Sequence, residues 1–228
     1  IDANLLDVSM QELREKVAYS DWFENNIKKL QDEIEGRLII KEYPTSSAHS
    51  GHFKALIQEL RLKRNFHPDI VFIDYLNICA SSRIRAGSSA NSYTIIKSIA
   101  EEIRALAVEL DVPIFSATQT TRAGYGNTDV DLTDTSESFG LPATADLMFA
   151  IISTEELEGL GLFMIKQLKN RYADPTTNKK FNIGVDRAKM RLFDVDQLSN
   201  TIGPSMEIAD DTPVFDRSRR LNDDGFKI

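Results

Sequence analysis

Residues 70–74 read Ile70-Val71-Phe72-Ile73-Asp74, and residues 113–117 read Pro113-Ile114-Phe115-Ser116-Ala117. The first is an unbroken apolar run that ends in a carboxylate. Continuous apolarity over four residues predicts a central strand of a parallel sheet, covered on both faces. Pro113–Ala117 predicts a second such strand. Between them Ile95, Ile96, Ile99, Ile103, Leu106 and Leu110 recur at helical spacing, which predicts a helix from about Ser92 to Leu110. Strand, crossover helix and strand make a βαβ unit, almost always right-handed. The fold class that follows is α/β.

N-terminal to this unit, Ser9 predicts a helix cap with Glu12 as its reciprocal partner. Ser20 opens a second helix, with Trp22, Phe23, Ile27, Leu30 and Ile34 on one face and Gly36 as its stop. Leu38-Ile39-Ile40 reads as a short strand closed by Pro44, and Thr45–Gly51 as a polar loop. Phe53, Leu56, Ile57 and Leu60 then mark a helix whose basic end, Lys63–Arg64, suits a C-terminus. On the far side, Thr120–Thr135 is a polar loop. Leu147–Ile152 and Leu162–Leu168 read as strands, and Phe181–Val185 with Arg191–Val195 as a closing hairpin. The pattern fades after Asn200. Residues 1–199 are therefore expected to form the folded part and 200–228 a tail or clamp.

The 228 residues carry 35 acidic and 27 basic side chains, a net charge of −8. This excludes a protein that holds nucleic acid by bulk positive charge, but not a channel lined locally by a few cations. One Cys excludes an internal disulfide and a multi-cysteine metal site. No apolar run is long enough to span a bilayer, so no membrane partner is expected. The chain starts at Ile1 with no basic-then-apolar leader, and is read as processed, truncated or the first part seen of something longer.

Asp74 stands where open α/β sheets bind ligands, at the C-terminal end of a strand. A carboxylate there can hold the magnesium shell around nucleotide phosphates, or simply cap the next turn. Gln119 lies just past the second strand. Its amide can donate to a γ-phosphate or an attacking water and lose that bond on hydrolysis; a solvent-facing polar residue is the plainer reading. Lys169 and Arg171 are two apart and point to one face if they sit on a strand, so they can reach one phosphate cluster. Arg83 and Arg85 fall in the loop after the first strand and Arg122 in the loop after the second. All three can touch single-stranded phosphates or be ordinary surface arginines. Tyr93 and Tyr125 can stack on bases, though aromatic residues near loops more often pack on their own domain. His49, His52 and His67 lack metal-ligand spacing and read as polar surface. Cys79 reads as a small core hydrophobe.

Five stretches occur in one order: IVFIDYLN (Ile70–Asn77), YTIIKSIAEEIRALAVEL (Tyr93–Leu110), VPIFSATQ (Val112–Gln119), DLTDTSESFGLPATADLMFAI (Asp131–Ile151) and IKQLKNRY (Ile165–Tyr172). Together they resemble the C-terminal motor domain of hexameric replicative DNA helicases, and within them the branch of T4-like phages. The phrases GLPATADLMFAI and IAEEIRALAVE are the specific ones. The resemblance spans roughly Ile1 to Gln197. It implies a RecA-like P-loop NTPase core with a mostly parallel sheet, and 5′→3′ unwinding of duplex DNA by a ring that hydrolyses ATP or another nucleoside triphosphate with magnesium. It makes Asp74 the magnesium-shell aspartate and Gln119 the γ-phosphate-sensing glutamine. Lys169 and Arg171 become the basic pair that reaches across a subunit boundary, with Arg171 as the arginine finger. Loops 79–91 and 120–131, with Arg83, Arg85 and Arg122, become the contacts to single-stranded DNA. It also implies self-assembly, a primase, a helicase loader and the cytoplasm of an infected bacterial host.

The sequence departs from that pattern in one respect. No GxxxxGK(S/T) occurs in it. The family places that loop, and a catalytic glutamate, upstream of the matching residues. The chain is therefore expected to be a motor domain without its phosphate-binding strand, inactive by itself. Two alternatives stay open at this level: another RecA-fold ATPase or recombinase, and a motor-like domain that has become a scaffold.

Overall fold

Ser9 begins the folded pattern as its chemistry requires. Its hydroxyl accepts from the Glu12 amide at 3.1 Å, and the Glu12 carboxylate accepts from the Ser9 amide at 3.0 Å. This box opens helix α2 (Met10–Val17), after the single turn α1 (Asp2–Leu5). Helices α3 (Ser20–Glu33) and α4 (Ser50–Arg64) follow. Strand β1 (Val71–Ile73), helix α5 (Ser92–Leu110) and strand β2 (Ile114–Ser116) form the βαβ unit. Asp111 closes α5 in the left-handed conformation at φ 54°, and Pro113 prevents the helix from resuming. Then come α6 (Gly140–Thr144), β3 (Leu147–Ile152), α7 (Glu155–Gly159), β4 (Leu162–Asn170), β5 (Lys180–Asp186) and β6 (Arg191–Phe193). The computed structural model describes residues 1–18, 20–85, 87–120, 132, 140–174 and 176–195. All lie within the unit Ile1–Val195.

β1 and β2 pair in parallel, with Val71 opposite Ile114 and Ile73 opposite Ser116. β3, β4, β5 and β6 form a second sheet, in that order, with every neighbour antiparallel. The core sits on one side of the parallel pair. Ile73 packs there with Leu76, Ile96, Ile99, Ile103 and Leu141. Ile57 of α4 joins Leu106, Leu110 and Val112 in an adjoining cluster. Burying such side chains contributes roughly 1.5–3 kcal/mol each, so α5 is held by its apolar stripe against the strands. At the other end of the chain, the Asn4 side chain donates to the Met190 carbonyl at 2.8 Å. Asp7 meets Lys189 and Arg191 at 3.2 and 2.9 Å, tying the N-terminal turn to the β5–β6 turn.

Several expectations change. The parallel pair is present, but among the described residues more strands belong to the antiparallel sheet. The connections between successive strands of β3–β6 are 9, 9 and 4 residues long, the first holding α7, and each falls short of the dozen or so residues that a parallel crossover needs. β1 is not covered on both faces. Ile73 is buried but Phe72 is 73% exposed, stacked on Phe115 with ring centroids 5.4 Å apart. α4 and α5 both pack on the opposite face, so the continuous apolar run is covered on one side only. Leu38–Ile40 forms no strand; Leu38 and Ile40 are 64% and 67% exposed. Three apolar residues make a strand only beside a neighbour that takes their amides, and no described strand does so. α3 ends at Glu33, three residues before Gly36, and α4 starts at Ser50, inside the expected loop. The expected tail, 200–228, lies outside the described residues.

Candidate functional site

The segments that leave β1 and β2 continue side by side. Leu76 donates its amide to the Ala117 carbonyl at 3.1 Å. The Ser116 hydroxyl donates to the Ile73 carbonyl at 2.9 Å, and the Thr118 hydroxyl to Asn77 Oδ1 at 2.8 Å. The lacing thus runs four residues beyond β1, to Asn77, and two beyond β2, to Thr118. This lacing brings Asp74 and Gln119 to one sheet edge. The Gln119 amide donates to the Tyr75 hydroxyl at 3.3 Å, beside Asp74. The peptide joining Asp74 to Tyr75 is cis. The Asp74 carboxylate is exposed, with no hydrogen bond or ion pair among the described residues. An exposed carboxylate with unused lone pairs fits a water-mediated magnesium ion.

Lys169 and Arg171 do share a side, at the end of β4. Both turn onto the last turn of α6, a helix terminus that attracts cations. Lys169 donates to the Pro142 carbonyl. Arg171 donates to the Ala143 carbonyl at 2.9 Å and to Asp146 Oδ1 at 3.0 Å. Arg104, from α5, donates to the same Asp146 oxygen at 2.8 Å and to the Thr144 carbonyl at 2.6 Å. Three cations therefore gather around one carboxylate. The Arg104 hydrogen bond chiefly holds Asp146 below the usual carboxylate range, with the charges of Arg104 and Arg171 adding to it. Burial, then the charge of Arg171, pushes the Lys169 ammonium down. The surplus of positive charge suits a polyanion. Asp74 and Gln119 share no hydrogen bond or ion pair with this group among the described residues.

The loop after β1 carries Arg83 and Arg85. Arg83 pairs with Glu101 of α5 at 3.1 Å. Arg85 is exposed, and its guanidinium has no partner among the described residues. Beneath them lies Glu102, a carboxylate only 5% exposed. It accepts from the Ser81 hydroxyl at 2.6 Å, the Ser82 amide at 2.9 Å, the Ser50 hydroxyl at 3.0 Å and the Ser98 hydroxyl at 3.2 Å. Burial alone raises its pKa. The donors outweigh that and take it down from 4.5 to about 2.

The sequence pattern of the DnaB-like helicase C terminal domain matches residues 3–184. The chain belongs to this family. It is 41% identical over 224 residues to a DnaB-like replicative helicase of Enterobacteria phage T4, covering 96% of this chain and 47% of that protein. The chain thus spans about half the length of this DnaB-like relative. A solved DnaB-like replicative helicase, described with its interactions with primase, superposes with a TM-score of 0.68 at 17% identity, over 86% of this chain and 46% of that one. A solved ATPase domain superposes at 0.67 and 16% identity, over 86% and 68%. The fold is that of the RecA-like ATPase domains of helicases, and the chain is a replicative-helicase-like domain.

Within this DnaB-like domain, some of the expected chemistry takes a different form. His49 and His52 are capping residues rather than plain surface. His49 Nδ1 accepts from the Gly51 amide at 3.0 Å, and His52 Nδ1 from the His49 amide at 3.2 Å. Cys79 packs against the main core cluster, and burial pushes its thiol up. Tyr93 is half-buried at the start of α5. Arg122 and Tyr125 lie outside the described residues. Among the described residues no three His, Cys, Asp or Glu side chains gather as a metal site, and no helix is long and apolar enough to cross a membrane. Sequence reading passed over Arg104, Asp146 and Glu102. Glu102 had one available signal: a Glu on the apolar side of α5, four residues after Ser98. Asp146 stood in plain view inside GLPATAD, but nothing local pairs it with two distant arginines.

Proposed function

We propose that the chain is the distal part of the motor of a nucleoside-triphosphate-driven 5′→3′ replicative DNA helicase that works as a ring. The observation that carries this is the laced edge of β1 and β2, which sets Asp74 and Gln119 side by side where open α/β sheets take ligands. Asp74 would hold a magnesium ion through water, and that ion, when bound, would neutralise charge on the nucleotide phosphates. Gln119 would report on the terminal phosphate, because among the described residues its side chain is tethered to Tyr75 alone and can trade that bond for another. Lys169 and Arg171 would serve the nucleotide of an adjacent subunit. Arg171 would exchange Asp146 for phosphate oxygens, a swap of one anion for another that costs little desolvation.

Arg83, Arg85 and Arg122 would face single-stranded DNA. Of the two described, Arg85 is the better contact, because Glu101 already occupies Arg83. Each phosphate neutralised on a single strand contributes about 0.7 to the slope of log affinity against log salt. Arg85→Ala is expected to weaken binding to oligothymidylate and lower that slope by roughly this amount. An unchanged slope across a salt titration would mean an ordinary surface arginine. Primase and a helicase loader are the further partners we assign to the complete protein, in an infected bacterial host.

These residues contain no GxxxxGK(S/T) loop and so supply no cradle of amides or P-loop lysine for the phosphates. In a steady-state assay with magnesium and ATP the 228-residue chain is expected to show no turnover above background. Turnover that copurifies with it and disappears on Asp74→Asn would contradict this reading.

A further inference from the structure

Glu102 is a buried carboxylate with no cation beside it among the described residues, and the proposed nucleotide chemistry makes no use of it. Its partners come from three separate places. Ser98 lies on its own helix, Ser50 at the start of α4, and Ser81 and Ser82 in the arginine loop. The Ser81 hydroxyl does two jobs at once. It donates to Glu102, and it accepts from the amides of Arg83 and Ile84 at 3.1 Å each. The loop is therefore wound around a hydroxyl that the buried carboxylate holds in place. A charge out of water keeps its proton off only while such donors surround it, so the carboxylate and the loop conformation require each other.

We propose that Glu102 is a positioning residue for DNA binding: through Ser81 and Ser82 it fixes the loop that presents Arg83 and Arg85, and through Ser50 it ties that loop to α4. This rests on the reading of the loop as a contact to single-stranded DNA. Glu101, one residue earlier, faces outward and holds Arg83 by its charge. The two glutamates thus fix the loop from below and from the side. Glu102→Gln replaces one acceptor oxygen by a donor, which then faces other donors. The loop should loosen while Arg83 and Arg85 remain on it.

The test measures amide exchange and oligothymidylate affinity on the same 228-residue chain. In Glu102→Gln, exchange at the Ser82 and Arg83 amides should rise about tenfold or more, as expected when a hydrogen bond to a charged group is lost. Affinity should fall about fivefold, because binding must now order the loop. The salt slope should stay at the wild-type value, since the same phosphates are neutralised once the loop is bound; Arg85→Ala, by contrast, lowers the slope. Ser81→Ala cuts the same tether and leaves the carboxylate its remaining donors, so it should reproduce both changes in weaker form even if Glu102→Gln folds poorly. Unchanged exchange at Ser82 in both variants would overturn the proposal. If Arg85→Ala weakens binding and neither tether variant does, the DNA reading stands and the positioning role falls. If Arg85→Ala leaves binding untouched, the DNA reading fails and takes the positioning role with it.

Discussion

Arg171→Ala, in a ring that also carries a phosphate-binding loop, is expected to cut nucleotide hydrolysis by about a thousandfold or more while leaving nucleotide binding within a few fold. An arginine that meets phosphate only as charge develops in the transition state acts on the rate and hardly on the ground state, with effects on the order of 10³–10⁵. The structure shows what holds the side chain in the isolated domain. Asp146 holds one guanidinium nitrogen and the Ala143 carbonyl another. Arg104 shares the Asp146 oxygen, so the carboxylate would stay ionised and in place if Arg171 left it. Arg171→Lys should restore little, because a single ammonium cannot reproduce the planar fork. Single-turnover kinetics with separately measured nucleotide affinity would check the split. A loss that appeared mainly as weaker binding would place Arg171 in ground-state recognition instead.

Acid should expose the second large effect. Glu102 is ionised in the folded chain down to about pH 2, against 4.5 for the same group unperturbed. Its folded value is the lower one, so the ionised group contributes stability that is fully present above about pH 4.5 and is lost as pH falls from there toward 2. The shift corresponds to about 3 kcal/mol at neutral pH, a large share of the roughly 5–15 kcal/mol that holds a domain together. Urea denaturation of the wild type and of Glu102→Gln at a series of pH values isolates it. The two should differ by about 3 kcal/mol at pH 7, by roughly half of that at pH 3, and converge only toward about pH 2. Other carboxylates with lowered pKa, such as Asp146 and Glu158, are common to both proteins and drop out of the comparison. A gap that does not depend on pH would mean that Glu102 acts by shape and not by charge.

Local sequence carried the βαβ unit because its two signals, an apolar run and a helical stripe, do not depend on distant partners. The Ser9 cap and the α4 stripe were legible for the same reason. Leu38–Ile40 shows the opposite case. Its composition suits a strand, yet a strand exists only beside a neighbour, and composition says nothing about whether the neighbour is there. Phe72 gives the same lesson for burial, since an apolar run cannot say which face its helices cover. At the site, Asp74 and Gln119 could be placed together because parallel pairing fixes which strand ends coincide. Lys169 and Arg171 could be placed on one face because strand geometry alternates every residue. What they turn toward, Asp146 and the α6 carbonyls, depends on a fold-back across some 25 residues of sequence that no local rule describes. Glu102 was missed because a glutamate inside an amphipathic helix ordinarily faces water, and only the serines of two other segments make its burial tolerable.

On this proposal Asp74 and Arg171 would serve the same nucleotide from different subunits. Mixing Arg171→Ala subunits with Asp74→Asn subunits, each inactive alone in a ring that carries a phosphate-binding loop, tests it most directly. Assembly at random creates some interfaces in which an intact Asp74 faces an intact Arg171, and hydrolysis should return in part. Mixed rings whose assembly is verified and whose hydrolysis stays at the level of either parent would contradict the account.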